Sequence, residues 1–203
     1  GYIIQNAAVG SSFFMGQFEQ DNNADNGTEP IEWTVLDLKD GKAFVISKKI
    51  LTYKPFSETE NVAWENSTIR QWLNGEFYNT AFSDDEKNRV IETKEESTES
   101  NTIFLNEDYA VLTPHYSLDK VSLLSSDEVS RYFSSDNTDL DAEYTDYAVA
   151  QRQTSSNSIV SEWLLRSPFT VGHGDTARCS SAYYRWGNTW TISTLSTWQS
   201  NDF

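Results

Sequence analysis

The residues able to do chemistry are few and scattered. Cys179 is the only cysteine, and His115 and His173 are the only histidines. Nothing in their spacing joins them into a thiolate–imidazole pair. Cys179 reads instead as a small strand residue. Among 31 aspartates and glutamates, chance alone puts some pairs at the separation of about 5–10 Å that glycoside hydrolysis uses, and the sequence singles out none. Two acidic segments have metal-like spacing. In "DNNADNGTEPIE", Asp21, Asn23, Asp25 and Glu32 fall at positions 1, 3, 5 and 12 of a calcium loop. Asn26 stands where that loop needs glycine, Pro30 interrupts it and strands flank it, so an Asn/Asp-rich turn is expected. The second segment, with Asp136, Asp139 and Asp141, reads as a solvated acidic loop. There is no Cys/His pattern for zinc. The expectation is no metal, no cofactor and no catalytic residue.

Aromatic residues are the denser signal. Tyr183, Tyr184, Trp186, Trp190 and Trp198 crowd around Gly187-Asn188. Alternation puts Tyr184 and Trp186 on one face of a strand and Tyr183 on the other. Flat rings stack on the apolar faces of sugars, and the adjoining "TVGHGDT" adds His173 and Asp175 as partners for hydroxyl groups. Tyr183, Tyr184, Trp186, Trp190, His173 and Asp175 are therefore the candidate ligand-binding residues. The alternative is cross-strand packing of the same rings.

A formal net charge of −16 repels nucleic acid and anionic membrane surfaces, leaving neutral sugars, proteins or cations as partners. No stretch approaches the roughly 18 apolar residues needed to span a bilayer, so no membrane insertion of this domain is expected. A lone cysteine excludes an intrachain disulfide without fixing the compartment. The first residue is Gly1 rather than methionine, which suggests a processed or trimmed N-terminus.

The elements that must position these residues are legible in part. In "IEWTVLDLKDGKAFVISKKIL" (31–51), Asp40-Gly41 between β-prone runs predicts a hairpin, and "SSFFMGQFEQ" (11–20) a third strand. In "WENSTIRQWLN" (64–74), Ser67 can cap a helix on which Ile69, Trp72, Leu73 and Phe77 share one face. Asn74-Gly75 should stop or kink it. Trp64, Trp72, Trp163 and Arg166 are expected in one core, with Arg70 paired beside it. Capping boxes at Ser83–Glu86 and Ser125–Glu128 open further helices, and Thr145 can cap "DYAVAQRQ". "ETKEESTES" (92–100) reads as a surface loop. "TIFL", "VSLLS" (121–125), "EWLLRS" (162–167), "TARCSSAYYRW" (176–186) and "TWTISTLSTW" (189–198) read as strands. The whole chain, 1–203, reads as a single α+β domain of mixed, mainly antiparallel sheets with two or three short helices.

"VGSSFFMGQFEQ", "GTEPIEWTVLDLKDGKAFVISKKIL", "WENSTIRQWLNGEFYNTAFS", "VSLLSSDEV", "TDYAVAQ" and "WLLRSP" occur in that order. Together they resemble a domain family of unknown function found in exported or surface proteins of gut Clostridia and their relatives. That family is distantly similar to C-type-lectin-like and formylglycine-generating-enzyme-like domains. The resemblance implies a C-type-lectin-like fold and a location outside a bacterial cell, and it carries over no catalytic residue. One cysteine does not suit formylglycine chemistry, which uses two. The chain departs from the family twice. It stops at "STWQSNDF", where relatives continue into a "GVRPA"-like final strand, and the loop before "TDYA" carries the acidic "DNTDLDAE" in place of a basic position. The expected function is a non-catalytic secreted or cell-surface domain that binds a carbohydrate or a protein. The alternatives are a carboxylate-based hydrolase and a purely structural module of a larger surface protein.

Overall fold

The computed structural model describes residues 7–58, 63–96, 103–105, 108–110, 116–133, 142–151, 162–170, 177–183 and 191–194. The fold is α+β, with small, mainly antiparallel sheets and short helices. In chain order the strands are β1 (Ser12–Phe18), β2 (Glu29–Lys39), β3 (Lys42–Ser47), β4 (Lys49–Ile50), β5 (Thr93–Glu96), β6 (Ile103–Leu105), β7 (Asp108–Ala110), β8 (Tyr116–Asp119), β9 (Glu143–Tyr144), β10 (Glu162–Thr170), β11 (Ala177–Tyr183) and β12 (Thr191–Thr194). The helices are α1 (Thr68–Trp72), α2 (Tyr78–Ala81), α3 (Asp84–Lys87), α4 (Ser126–Tyr132) and α5 (Asp146–Gln151). Two antiparallel three-stranded sheets, β1-β2-β3 and β10-β11-β12, carry most of the pairing. β5-β8 and β6-β7 are antiparallel pairs, and β4-β9 is a short parallel one.

The β2–β3 hairpin turns where expected. Asp40 and Gly41 have φ of 51° and 73°, the pair of left-handed residues that a two-residue turn requires. β1 joins the same sheet through a bulge between Phe14 and Gln17. Gly16 sits in that bulge at φ 72°, and a Cβ there would lie 2.8 Å from the Phe82 ring, so only glycine fits. The Gly16 N–H, left without a ladder partner by the bulge, donates to Glu86 Oε1 at 2.8 Å. Glu86 Oε2 closes the α3 capping box by accepting from the Ser83 N–H at 2.8 Å. One carboxylate therefore caps a helix and satisfies a strand. Burial alone would raise the Glu86 carboxyl, but the hydrogen bonds from Gly16 and Ser83 outweigh it and hold it below its ordinary value.

The helix that begins "STIRQWLN" starts at Ser67, whose hydroxyl accepts from the Arg70 N–H at 3.2 Å. Asn74-Gly75 does not stop it. Residues 73–77 form a π-helical turn that connects α1 to α2, with right-handed helical backbone on both sides. The extra residue of such a turn is the kink expected of Asn-Gly. It lets Asn74 face the chain at 120–121, where Oδ1 accepts from the Lys120 N–H at 2.8 Å and Nδ2 donates to the Val121 carbonyl at 2.9 Å.

Segment 121–125, "VSLLS", is buried throughout but is not a strand. Its backbone bonds with side chains and with β10 in place of a ladder, as in Arg166 N–H to Leu124 O at 2.9 Å. Conversely, part of "ETKEESTES" is no loop: Thr93–Glu96 pairs with Tyr116–Asp119, and Glu95 is buried. Apolar alternation is a poor guide in both places because polar partners decide the path.

The core joins Trp33, Trp64, Phe77, Phe82, Leu123 and Trp163 in one cluster with their neighbours. Trp64 and Trp163 are 1% and 2% exposed. Trp72 is only half-buried. It packs against this cluster, edge-on to Phe18, and lies under the Lys54 ammonium, 4.5 Å from the ring centroid, so it joins the core as expected but at its border. The Trp64→Ala variant should lose about 3–5 kcal/mol in urea unfolding, and Trp72→Ala clearly less. Equal losses would contradict this burial. The Glu86→Gln variant gives a pH test. A depressed carboxyl contributes stability that is present above its unfolded value, 4.5, and lost as pH falls through the lower folded value. The stability gap between Glu86→Gln and wild type should therefore be largest near neutrality and close in acid.

Candidate functional site

The aromatic hairpin lies largely outside the described residues. His173, Asp175, Tyr184, Trp186 and Trp190 are among the undescribed positions, and Tyr183 ends β11 with its side chain outside the description. β11 and β12 do pair antiparallel, with Tyr183 opposite Thr191. Cys179 lies in β11 opposite Pro168. His115, Asp136, Asp139 and Asp141 are also outside the described residues.

Elsewhere the structure forms a cavity of about 710 Å³, large enough for a small ligand or a peptide anchor. One wall is the sheet, with Phe13, Met15, Ala43 and Val45. The other is Phe82, Val90, Ile91, Val121 and Tyr132. These apolar groups come from separate elements, which is why no local motif announces the cavity. Ile91 is 47% exposed at its mouth.

Two lining carboxylates, Glu95 and Glu128, meet one cation. Arg166 is 5% exposed. Its Nη2 lies 2.8 Å from Glu95 Oε2 and its Nη1 2.7 Å from Glu128 Oε2, and Nη1 also donates to the Leu123 carbonyl. Glu128 Oε2 accepts from the Ser125 N–H at 2.7 Å, completing the α4 capping box. Glu95 Oε1 accepts from the Thr93 hydroxyl at 2.5 Å. Four separate parts of the chain, β5, 121–125, α4 and β10, are tied at this guanidinium. Tyr132, also lining the cavity, is pushed above the ordinary phenol value by burial and by the nearby Asp37. It stays protonated and donates to Asp37 Oδ2 at 3.3 Å.

A second polar knot lies beside the helix that opens at Ser67. Asp119, 1% exposed, accepts from Trp64 Nε1 at 2.8 Å, Arg70 Nε at 2.6 Å and the Ser117 hydroxyl at 2.5 Å. Arg70 is thus paired beside the core, as its position in the helix suggested. The fork also reaches the Glu65 and Leu118 carbonyls.

The calcium-like residues do not converge as a set. Asp21 Oδ1 accepts from the Asn23 N–H, and Asn23 Oδ1 from the Asp25 N–H, the local bonds of an Asn/Asp turn. The Asn26 amide, 2.6 Å from Oδ2, holds the Asp21 carboxyl below its ordinary value. Glu32 turns away to Lys48 at 2.8 Å. The carboxylates that do approach Asp21 are Glu19 and Glu29, their oxygens within 4.8 Å of one another. Backbone N–H groups of Gln20, Asp21 and Asn23 already donate to Glu29 and Glu19.

Thr145, which the spacing made a cap, does cap α5, accepting from the Ala148 N–H at 3.1 Å. Arg166 was expected to be buried or paired, and it is both. Glu95 and Asp119 were not foreseen, because each lies in a polar segment where nothing local marks a buried carboxylate.

The family comparison bears on most of this chain. A family model described as a domain of unknown function (DUF6273) matches residues 40–195. No curated protein and no solved structure matches the chain.

Removing the guanidinium should expose the network's role. Arg166→Met leaves the buried Glu95 and the half-buried Glu128 without their shared cation and should cost about 3–5 kcal/mol in chemical denaturation. Adding Glu95→Gln and Glu128→Gln to it should recover part of that loss. No recovery would mean that Arg166 acts through packing alone.

Proposed function

The chain belongs to the DUF6273 family of domains of unknown function, and from that premise we propose that it is a non-catalytic binding domain of a secreted or cell-surface protein. Its ligand is a carbohydrate or a protein. The observation that carries the reading is the 710 Å³ cavity with apolar walls. Such a cavity rewards apolar side chains more than sugar hydroxyls, which favours a protein segment. Two lining carboxylates, Glu95 and Glu128, are engaged by Arg166, Thr93 and the α4 cap, which supports a structural role for them over hydrolysis. The location outside the cell rests on the resemblance of the motifs to those of exported and surface proteins.

Parallel selections from a displayed peptide library and a glycan array test this, with anilinonaphthalene sulfonate as an apolar probe of the cavity. The expected result is retention of peptides with an apolar anchor, competition by the probe, and loss of both in Ile91→Asp, which places a charge at the mouth without opening the core. Glycan retention untouched by the probe would move the site to the 183–198 hairpin. If neither ligand class is retained, the binding reading fails.

A further inference from the structure

The charges around the cavity run against those of the chain. The chain has 15 lysines and arginines against 31 aspartates and glutamates. Five of those 15 cations, Lys39, Lys42, Arg89, Lys120 and Arg131, line this one cavity, and all five are exposed. None makes a salt bridge among the described residues. Of the lining carboxylates, Glu95 and Glu128 are held by Arg166 and Asp37 by Tyr132, which leaves Asp40 and Glu92 at the surface. Five lining cations match five lining carboxylates, and Arg166, which is not part of the lining, pairs with two of those carboxylates, in a molecule of net charge −16. A random share of this chain's charges would have made the rim acidic.

An apolar floor bordered by five exposed cations, with only Asp40 and Glu92 as exposed carboxylates, complements one kind of ligand: an apolar anchor flanked by negative charge. We propose that the cavity binds an acidic protein segment through an aromatic or aliphatic side chain, with aspartates or glutamates on either side of that anchor meeting Lys39, Lys42 and Arg131. This rests on the cavity being the binding site and adds the chemistry of the partner. The overall negative charge repels acidic chains while the lining cations attract them, so the same electrostatics that attract the segment also orient it.

Three labelled synthetic peptides test the inference by fluorescence anisotropy: a Trp-Phe centre flanked by aspartates, the same centre flanked by lysines, and an Ala-Ala centre flanked by aspartates. The first should bind wild type, more weakly as salt rises. Lys42→Glu combined with Arg131→Glu, two exposed changes, should weaken it roughly tenfold and improve the lysine-flanked peptide. Ile91→Asp should abolish binding. Equal or tighter binding of the lysine-flanked peptide by wild type overturns the acidic partner. If that binding is lost in Ile91→Asp, the cavity is still the site. Equal binding of the Ala-Ala peptide also overturns the proposal, since it would dispense with the anchor. If no peptide binds but anilinonaphthalene sulfonate does, and Ile91→Asp removes it, the partner chemistry falls and the cavity reading stands. If the probe fails as well, both fall.

Discussion

One guanidinium fixes the relation between parts of this chain that share no ladder. Arg166 comes from β10, and it reaches Glu95 on β5, Glu128 at the first turn of α4 and the carbonyl of Leu123. A buried arginine left without partners would be costly, so these elements hold their places or the site breaks. The geometry is strict because a planar fork accepts carboxylates only in its own plane. Apolar contacts alone would tolerate sliding of β5 or α4 by an ångström or two; this fork does not. The ion pairs therefore specify arrangement more than they add net stability, since burying charge costs nearly what the pairing returns.

Asp119 repeats the device on the other side of segment 120–125. It binds Trp64, Arg70 and Ser117, while Asn74 in the π-helical turn holds the chain at 120 and 121. Segment 121–125 is thus pinned from the helix that opens at Ser67 and from β10 without becoming a strand. Its apolar side chains, Val121, Leu123 and Leu124, still enter the core. Polar anchors set the path and apolar burial supplies the driving force.

How much of this was legible depended on the range of the interaction. The hairpin at Asp40-Gly41, the capping boxes at Ser83 and Ser125 and the cap at Ser67 are decided within a few residues, and each is found where its spacing puts it. The family was legible too, because its motifs span the chain. "VSLLS" and "ETKEESTES" were misread because their conformations depend on Arg166 and Asn74, residues more than twenty positions away. The cavity was illegible for the same reason. Its walls come from β1, β3, α4 and the chain around 82–95, and only the fold brings them together. Trp72 was placed on the correct helical face, but periodicity reports direction and not depth. Lys54 and Phe18 cover the ring only in part.

A cavity of this size is costly in a domain with a modest core. An open cleft with apolar walls leaves their surface to water, and the walls gain by closing on one another. Here collapse is opposed by groups that cannot approach further. Glu95 and Glu128 border the cavity at hydrogen-bond distance from the same guanidinium, and Tyr132 is tethered by its hydrogen bond to Asp37. On the sheet side, the Trp33 indole N–H donates to the Met15 carbonyl at 2.7 Å and stacks near Phe82, which fixes β1 against β2 behind the wall. A pocket braced in this way needs little rearrangement to accept a ligand, so less of the binding free energy is lost to ordering. The polar knot that specifies the fold is thereby also what keeps the cavity preformed.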